Sequence, residues 1–219
     1  MRVHFISGFC LVLITSCFGI NAQTLRINAG LNLSTMTVAT DEELKINPGL
    51  HLGATAEFPI SKSLSFEPGL FLSPKGFTIN GVEVTIFGLQ LEEKYIFNPI
   101  YADILLNAKA VHQTGEVRLF FTSGPYVGIG IGGKAKLFAL PDGKSRELLE
   151  QNNIVWGSFE DNDGLRRLDF GLCFGAGFEI SAFLFEIFYE LGLTNNYHST
   201  DSWKNRVLGI SLGFRVSNF

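Results

Sequence analysis

Beyond its first two dozen residues the chain has no apolar run near the roughly 18 to 20 residues that a membrane-crossing helix needs, which excludes a helical membrane protein. Cysteine is scarce: Cys10 and Cys17 fall in the leader-like start, and Cys173 is the only one after it. One thiol closes no intramolecular disulfide, so an exported chain must find its stability elsewhere. Charge of one sign is also lacking. A formal net charge of −4 with no block of like charges gives nucleic-acid binding no electrostatic support.

Local chemistry is equally thin. Gly128-Ile129-Gly130-Ile131-Gly132-Gly133 fits a dinucleotide-loop pattern, but such a loop needs a helix after it and an acid about 20 residues on, and here the glycines continue a strand. Asn32-Leu33-Ser34 spells a glycosylation acceptor inside a strand rather than in an exposed loop. His51, His112 and His198 share no metal-ligand spacing. No catalytic, cofactor-binding or metal-ligating residue is therefore assigned, and no cofactor is expected. A serine with His51 or His198 and an inward acid would form a hydrolase arrangement, yet no local motif marks the nucleophile.

What the chain does have is alternation. Leu168, Phe170, Leu172, Phe174, Ala176, Phe178 and Ile180 are apolar, and the residues between them are small or charged. Successive strand side chains point to opposite faces, so this segment has one greasy face and one small or polar face. Eight such segments are predicted, at 25–37, 47–58, 63–73, 100–111, 117–132, 167–180, 183–194 and 206–216. They reach the roughly 9 to 11 residues that a tilted strand needs to cross a bilayer. Short connections at 59–62, 112–116 and 181–182 alternate with long ones at 38–46, 74–99, 133–166 and 195–205. Short periplasmic turns, long external loops and an even strand count characterise outer-membrane barrels. The expected fold is an all-β, eight-stranded antiparallel up-and-down transmembrane β-barrel over 23–219, one domain, as a monomer in outer-membrane lipid.

Residues 1–22 read as a secretory signal peptide: Arg2 is followed by an apolar core from Phe5 to Ile14, then by mainly small or polar residues, with cleavage near Ala22 or Gln23. A lipoprotein box ending at Cys17 is the rival reading.

The parity of each strand assigns its faces. Leu25, Ile27, Ala29, Leu31 and Leu33 face lipid, with Arg26, Asn28, Gly30 and Asn32 inside. Inward acids are Glu57, Glu67, Asp103, Asp169, Glu179, Glu186 and Glu190; inward bases are Arg26, Lys109, Arg118 and Arg215. Alternation by itself does not say which face is the inside, and a soluble ligand-binding barrel stays open. Eight strands leave an interior that side chains fill, so lumen ion pairs are expected, with a narrow proton or cation path as the alternative. The longest connection carries Leu137, Phe138, Leu148, Leu149, Trp156 and Phe159 among charges, which predicts a local packed element or a protein-partner site there.

Taken together, Ala29-Gly30-Leu31-Asn32-Leu33-Ser34, Asn47-Pro48-Gly49-Leu50, Phe66-Glu67-Pro68-Gly69-Leu70, Pro74-Lys75-Gly76-Phe77, Gly124-Pro125-Tyr126-Val127-Gly128 and Tyr189-Glu190-Leu191-Gly192 resemble the PorT-like outer-membrane β-barrel domain proteins of Gram-negative bacteria. The resemblance implies an outer-membrane location, and for some members a role in protein secretion. Two positions depart from its pattern: Leu105 stands at the usual proline of the fourth strand, and Phe188 where an arginine often precedes the tyrosine of the seventh. The reading is a noncatalytic barrel acting through its external loops; the alternatives are a secretion accessory, a lipid-modifying enzyme and a soluble carrier.

Overall fold

The computed structural model of the protein describes residues 24–37, 44–86, 89–140, 147–157, 165–196 and 203–217. The expected signal peptide, its cleavage point, Cys17 and His198 lie outside them. Twelve strands are described: β1 (Thr24–Thr37), β2 (Lys45–Pro59), β3 (Leu64–Pro74), β4 (Phe77–Ile86), β5 (Leu89–Thr114), β6 (Val117–Leu140), β7 (Glu147–Asn153), β8 (Trp156–Gly157), β9 (Leu165–Arg166), β10 (Leu168–Ile180), β11 (Phe183–Gly192) and β12 (Lys204–Ser217). Eight of them close a ring in the order β1, β2, β3, β5, β6, β10, β11, β12, each antiparallel to the next, and β12 returns to β1 over Leu25 to Thr37. These are the eight expected segments. Closure leaves the ring without an edge, so the backbone groups of its strands pair with neighbours on both sides around the wall, as a lipid surround demands.

Burial settles inside from outside. Arg26, Asn28, Asn32 and Ser34 are buried while Ile27, Leu31 and Leu33 are exposed, and the same division holds on β2, β10, β11 and β12. A soluble carrier would invert this, with its greasy side chains turned inward. Along β10 the exposed apolar face runs from Phe170 to Ile180, roughly 33 Å of strand, or about 25 Å of height at a 40° tilt. That matches the apolar band of an outer-membrane barrel.

Short turns close the other end. Gly115 (φ +61°) and Ser181 (φ +56°) open two-residue hairpins, a position where the hairpin twist demands positive φ. Ser181 adopts it at a cost of about 1 to 2 kcal/mol.

The connections expected at 74–99 and 133–166 are not loops throughout. β4 pairs with the first half of β5, the second half of β6 pairs with that same half, and β7 pairs with β6, so a four-stranded antiparallel paddle continues the wall above the barrel. Strong β formers such as Ile79, Tyr95, Ile96 and Phe97 explain why it forms. A bulge marks its base: Tyr101 pairs with Gly130 and Ile100 with Gly132, leaving Ile131 extra. The parity of β6 changes there, from even residues inward to odd residues inward, because one inserted residue turns every later side chain over.

Candidate functional site: a filled lumen and an open mouth

Three tiers of polar side chains fill the barrel. Nearest the short turns, Arg26 reaches Glu57 at 2.9 Å, Glu179 at 3.0 Å and Glu67 at 3.3 Å. Lys109 meets Glu67 at 2.6 Å, Glu179 at 2.7 Å and Glu57 at 3.3 Å. Arg118 closes the tier from below, at 2.7 Å from Glu179 and 2.8 Å from Glu57, while Arg215 stands 3.9 Å from Glu179. Three carboxylates thus face three tightly bound cations. Removing such charges from water is costly, and only this density of pairing repays it. Strand parity places every one of these residues inside.

The middle tier is built on His51. Its Nδ1 lies 2.8 Å from Asn32 Oδ1 and its Nε2 3.0 Å from Ser211 Oγ, and Asn32 donates its Nδ2–H to Ser73 Oγ at 2.7 Å. That last bond fixes the Asn32 amide, so Nδ1 donates to Asn32 and Nε2 accepts from Ser211; the tautomer is assigned from the network. The order serine, histidine, orienting amide is that of a hydrolase relay. Here, however, the edges of Phe188 (5.3 Å) and Phe71 (6.0 Å) cover the imidazole, and the adjoining cavity of about 20 Å³ has room for roughly one water. Phe188, at the position where the resembled family often has arginine, packs its ring onto Gly209, where any Cβ would lie within 2.1 Å of it. Glu186 accepts from Thr122 Oγ1 at 3.0 Å.

The upper tier holds the residue that sequence reasoning missed. Lys75, set among the loop residues, turns inward: its Nζ is 2.9 Å from Asp103, 2.9 Å from Glu190 and 3.6 Å from Asp169, and 4.2 Å from the Tyr126 ring centre. It is fully buried. Tyr126 and Asn205 donate to Asp169 Oδ2 at 3.0 and 2.9 Å, and Thr194 donates to Oδ1 at 3.0 Å. Above this tier Trp156 packs edge-on against Tyr101 at 5.5 Å. Gly130 makes room for it, since a Cβ there would lie within 2.2 Å of the indole. The local signal for Lys75 was its place immediately after Pro74, the last residue of β3, where a long side chain can still bend back into the mouth.

At the mouth, the inner face of the paddle is aromatic. Tyr95 and Phe97 stack at 6.4 Å, Phe97 and Phe77 lie 5.3 Å apart, and Phe77 and Trp203 5.6 Å. Beside them opens a groove of about 220 Å³ lined by Tyr95, Phe97, Leu137 and the three-quarters exposed Val155, with Glu150 and Asn152 as polar walls. The expected local element in the 133–166 connection is therefore β7 with the Trp156 plug. Among the described residues, no group of His, Cys, Asp and Glu could hold a metal ion.

Several known structures share the general likeness. Ail of Yersinia pestis, in complex with the heparin analogue sucrose octasulfate, is 15% identical, with 88% of this chain and 97% of that one covered and a TM-score of 0.41. The outer membrane protein OprG from Pseudomonas aeruginosa is 11% identical (90% and 97% covered, TM-score 0.44), and Neisserial surface protein A is 8% identical (88% and 97%, TM-score 0.42). No curated protein matches the chain. The family of the outer membrane protein β-barrel domain matches residues 12–198, most of the sequence. A closed eight-stranded wall, greasy outside and ionic within, is what that family's place in the cell outer membrane requires. The chain belongs to the outer membrane protein β-barrel domain family.

Proposed function

We propose that this outer-membrane barrel works without catalysis, as a monomer, by holding a partner protein at its long-loop end. The observation that carries the reading is the contrast between a lumen packed through three tiers and an apolar groove of about 220 Å³ left open on the paddle above it. Exposed apolar surface with polar walls marks an interaction site. The small size of the cavity beside Ser211, about 20 Å³, weighs against hydrolysis, and the stacked ion clusters weigh against conduction. The narrower assignment to the PorT-like group rests on the ordered motifs from Ala29 to Gly192, and a share in protein secretion would follow from it.

A photo-crosslinking residue at Val155, on intact cells, tests the proposal. One discrete crosslinked protein is expected, lost when 144–153 is deleted while the barrel still folds. Capture that survives this deletion would sink the groove as the partner site.

A further inference from the structure

The outer face of the paddle carries a different feature. The bulge at Ile131 reverses the parity of β6, and Gly133 follows with a φ of +137°, a conformation that suits glycine. Ala135 and Leu137 therefore face the mouth, and Lys134 and Lys136 face outward. Without the bulge both ammonium groups would point inward. Same-face neighbours on a strand are roughly 7 Å apart. Lys94 on β5 shares this face, diagonal to Lys136, because its partner is Phe138 and that of Lys136 is Ile96. Arg166 projects exposed from β9 on the adjoining wall, one residue above Arg167, whose carbonyl accepts from the Gly130 N–H at 2.7 Å. Among the described residues, Lys134, Lys136 and Arg166 have no ion pair.

The height of these cations matters as much as their sign. The exposed apolar residues of β6 run from Leu119 through Phe121 and Ile129 to Ile131, roughly 40 Å of strand, or about 30 Å along the bilayer normal at a 40° tilt. Lys134 begins where this band ends, at the level of lipid headgroups. Basic residues within a few ångströms of a membrane surface attract anionic headgroups.

We infer that Lys134 and Lys136, with Lys94 and Arg166, form a site on the outer wall that binds the phosphate groups of lipid in the outer leaflet. The bulge builds the site by turning two lysines from the lumen side to the lipid side. The bound lipid touches the barrel with its acyl chains along Ile129 and Ile131 and with its phosphates at the lysines. The site is separate from the mouth groove, so either can fail without the other.

The test uses the full mature barrel in phosphatidylcholine vesicles with and without lipid A, a bisphosphorylated lipid, followed by counting bound lipid by native mass spectrometry. The wild type should retain lipid A, in a salt-sensitive manner. K134E/K136E should bind on the order of tenfold or more weakly. K134R/K136R should keep the binding, and Lys62→Glu, at the short-turn end, should not change it. Heat-dependent gel mobility reports whether each barrel is folded, and K134Q/K136Q, which adds no repulsion, serves if the reversal misfolds. Equal retention by wild type and the folded double variants would overturn the site. Displacement of lipid A by inorganic phosphate at comparable concentration would overturn its assignment to lipid.

Discussion

His51 and Ser211 face each other in mid-lumen with 3.0 Å between Nε2 and Oγ, although 160 residues separate them in sequence. Asn32 completes a hydrolase-like relay, and the three side chains satisfy one another's polar groups where β1, β2 and β12 bury them. Ser211→Ala should cost about 0.5 to 1.5 kcal/mol in an unfolding titration, the ordinary value of one hydrogen bond. The folded barrel should show no labelling by a fluorophosphonate probe. Stoichiometric labelling at Ser211 would reinstate the enzyme reading.

Ile210, the neighbour of Ser211, points the other way and is exposed between Leu31 and Ile187 near the middle of the wall. Ile210→Arg should cost about 2 to 4 kcal/mol when folding into bilayers is measured. A cost equal to that of Ser211→Ala would mean that the faces are wrongly assigned.

Lys75 neutralises part of a cluster that otherwise contains only acids. Lys75→Met leaves Asp103, Asp169 and Glu190 facing one another in the lumen, and losing one partner of a buried ion cluster costs about 3 to 5 kcal/mol. Adding Asp103→Asn should recover part of the loss, because one charge fewer then lacks a partner. Guanidinium unfolding of the single and double variants decides it, with the exposed Lys62→Met as a near-neutral control.

Gly130 admits Trp156 to the barrel mouth. Gly130→Ala places a methyl group where the indole ring lies and should expel it, shifting its tryptophan fluorescence to the red. The change should vanish in a Trp156→Phe background, which leaves Trp203 as the remaining tryptophan.

Ser181 carries positive φ without being glycine. Ser181→Gly should therefore raise stability by about 1 kcal/mol, since the residue no longer bears a Cβ in the left-handed region. An unchanged or lowered unfolding midpoint would show that the turn adopts another conformation.

The sequence by itself determined the wall. Alternation has a period of two residues and is local, so Leu168 to Ile180 reveals its two faces without knowledge of its neighbours, and parity groups Arg26, Glu57, Glu179 and their companions on the polar face of each strand, which burial shows to be the inner one. The eight alternating segments set the strand count, and the alternation of short and long connections set the up-and-down order. Which inward charge meets which was decided only by closure of the ring, because partners such as Arg26 and Glu179 are 153 residues apart and no local pattern encodes that proximity. Lys75 lies beyond the end of β3, where parity no longer fixes direction, and only the cluster of Asp103, Asp169 and Glu190 draws it inward. Phe188 was legible as a departure, but its ring finds its place only because Gly209 stands beside it on the next strand. The same limit applies to the paddle. An unbroken alternation would put Lys134 and Lys136 in the lumen, and it is the pairing of β5 with β6, slipping by one residue at Ile131, that turns them out toward the lipid.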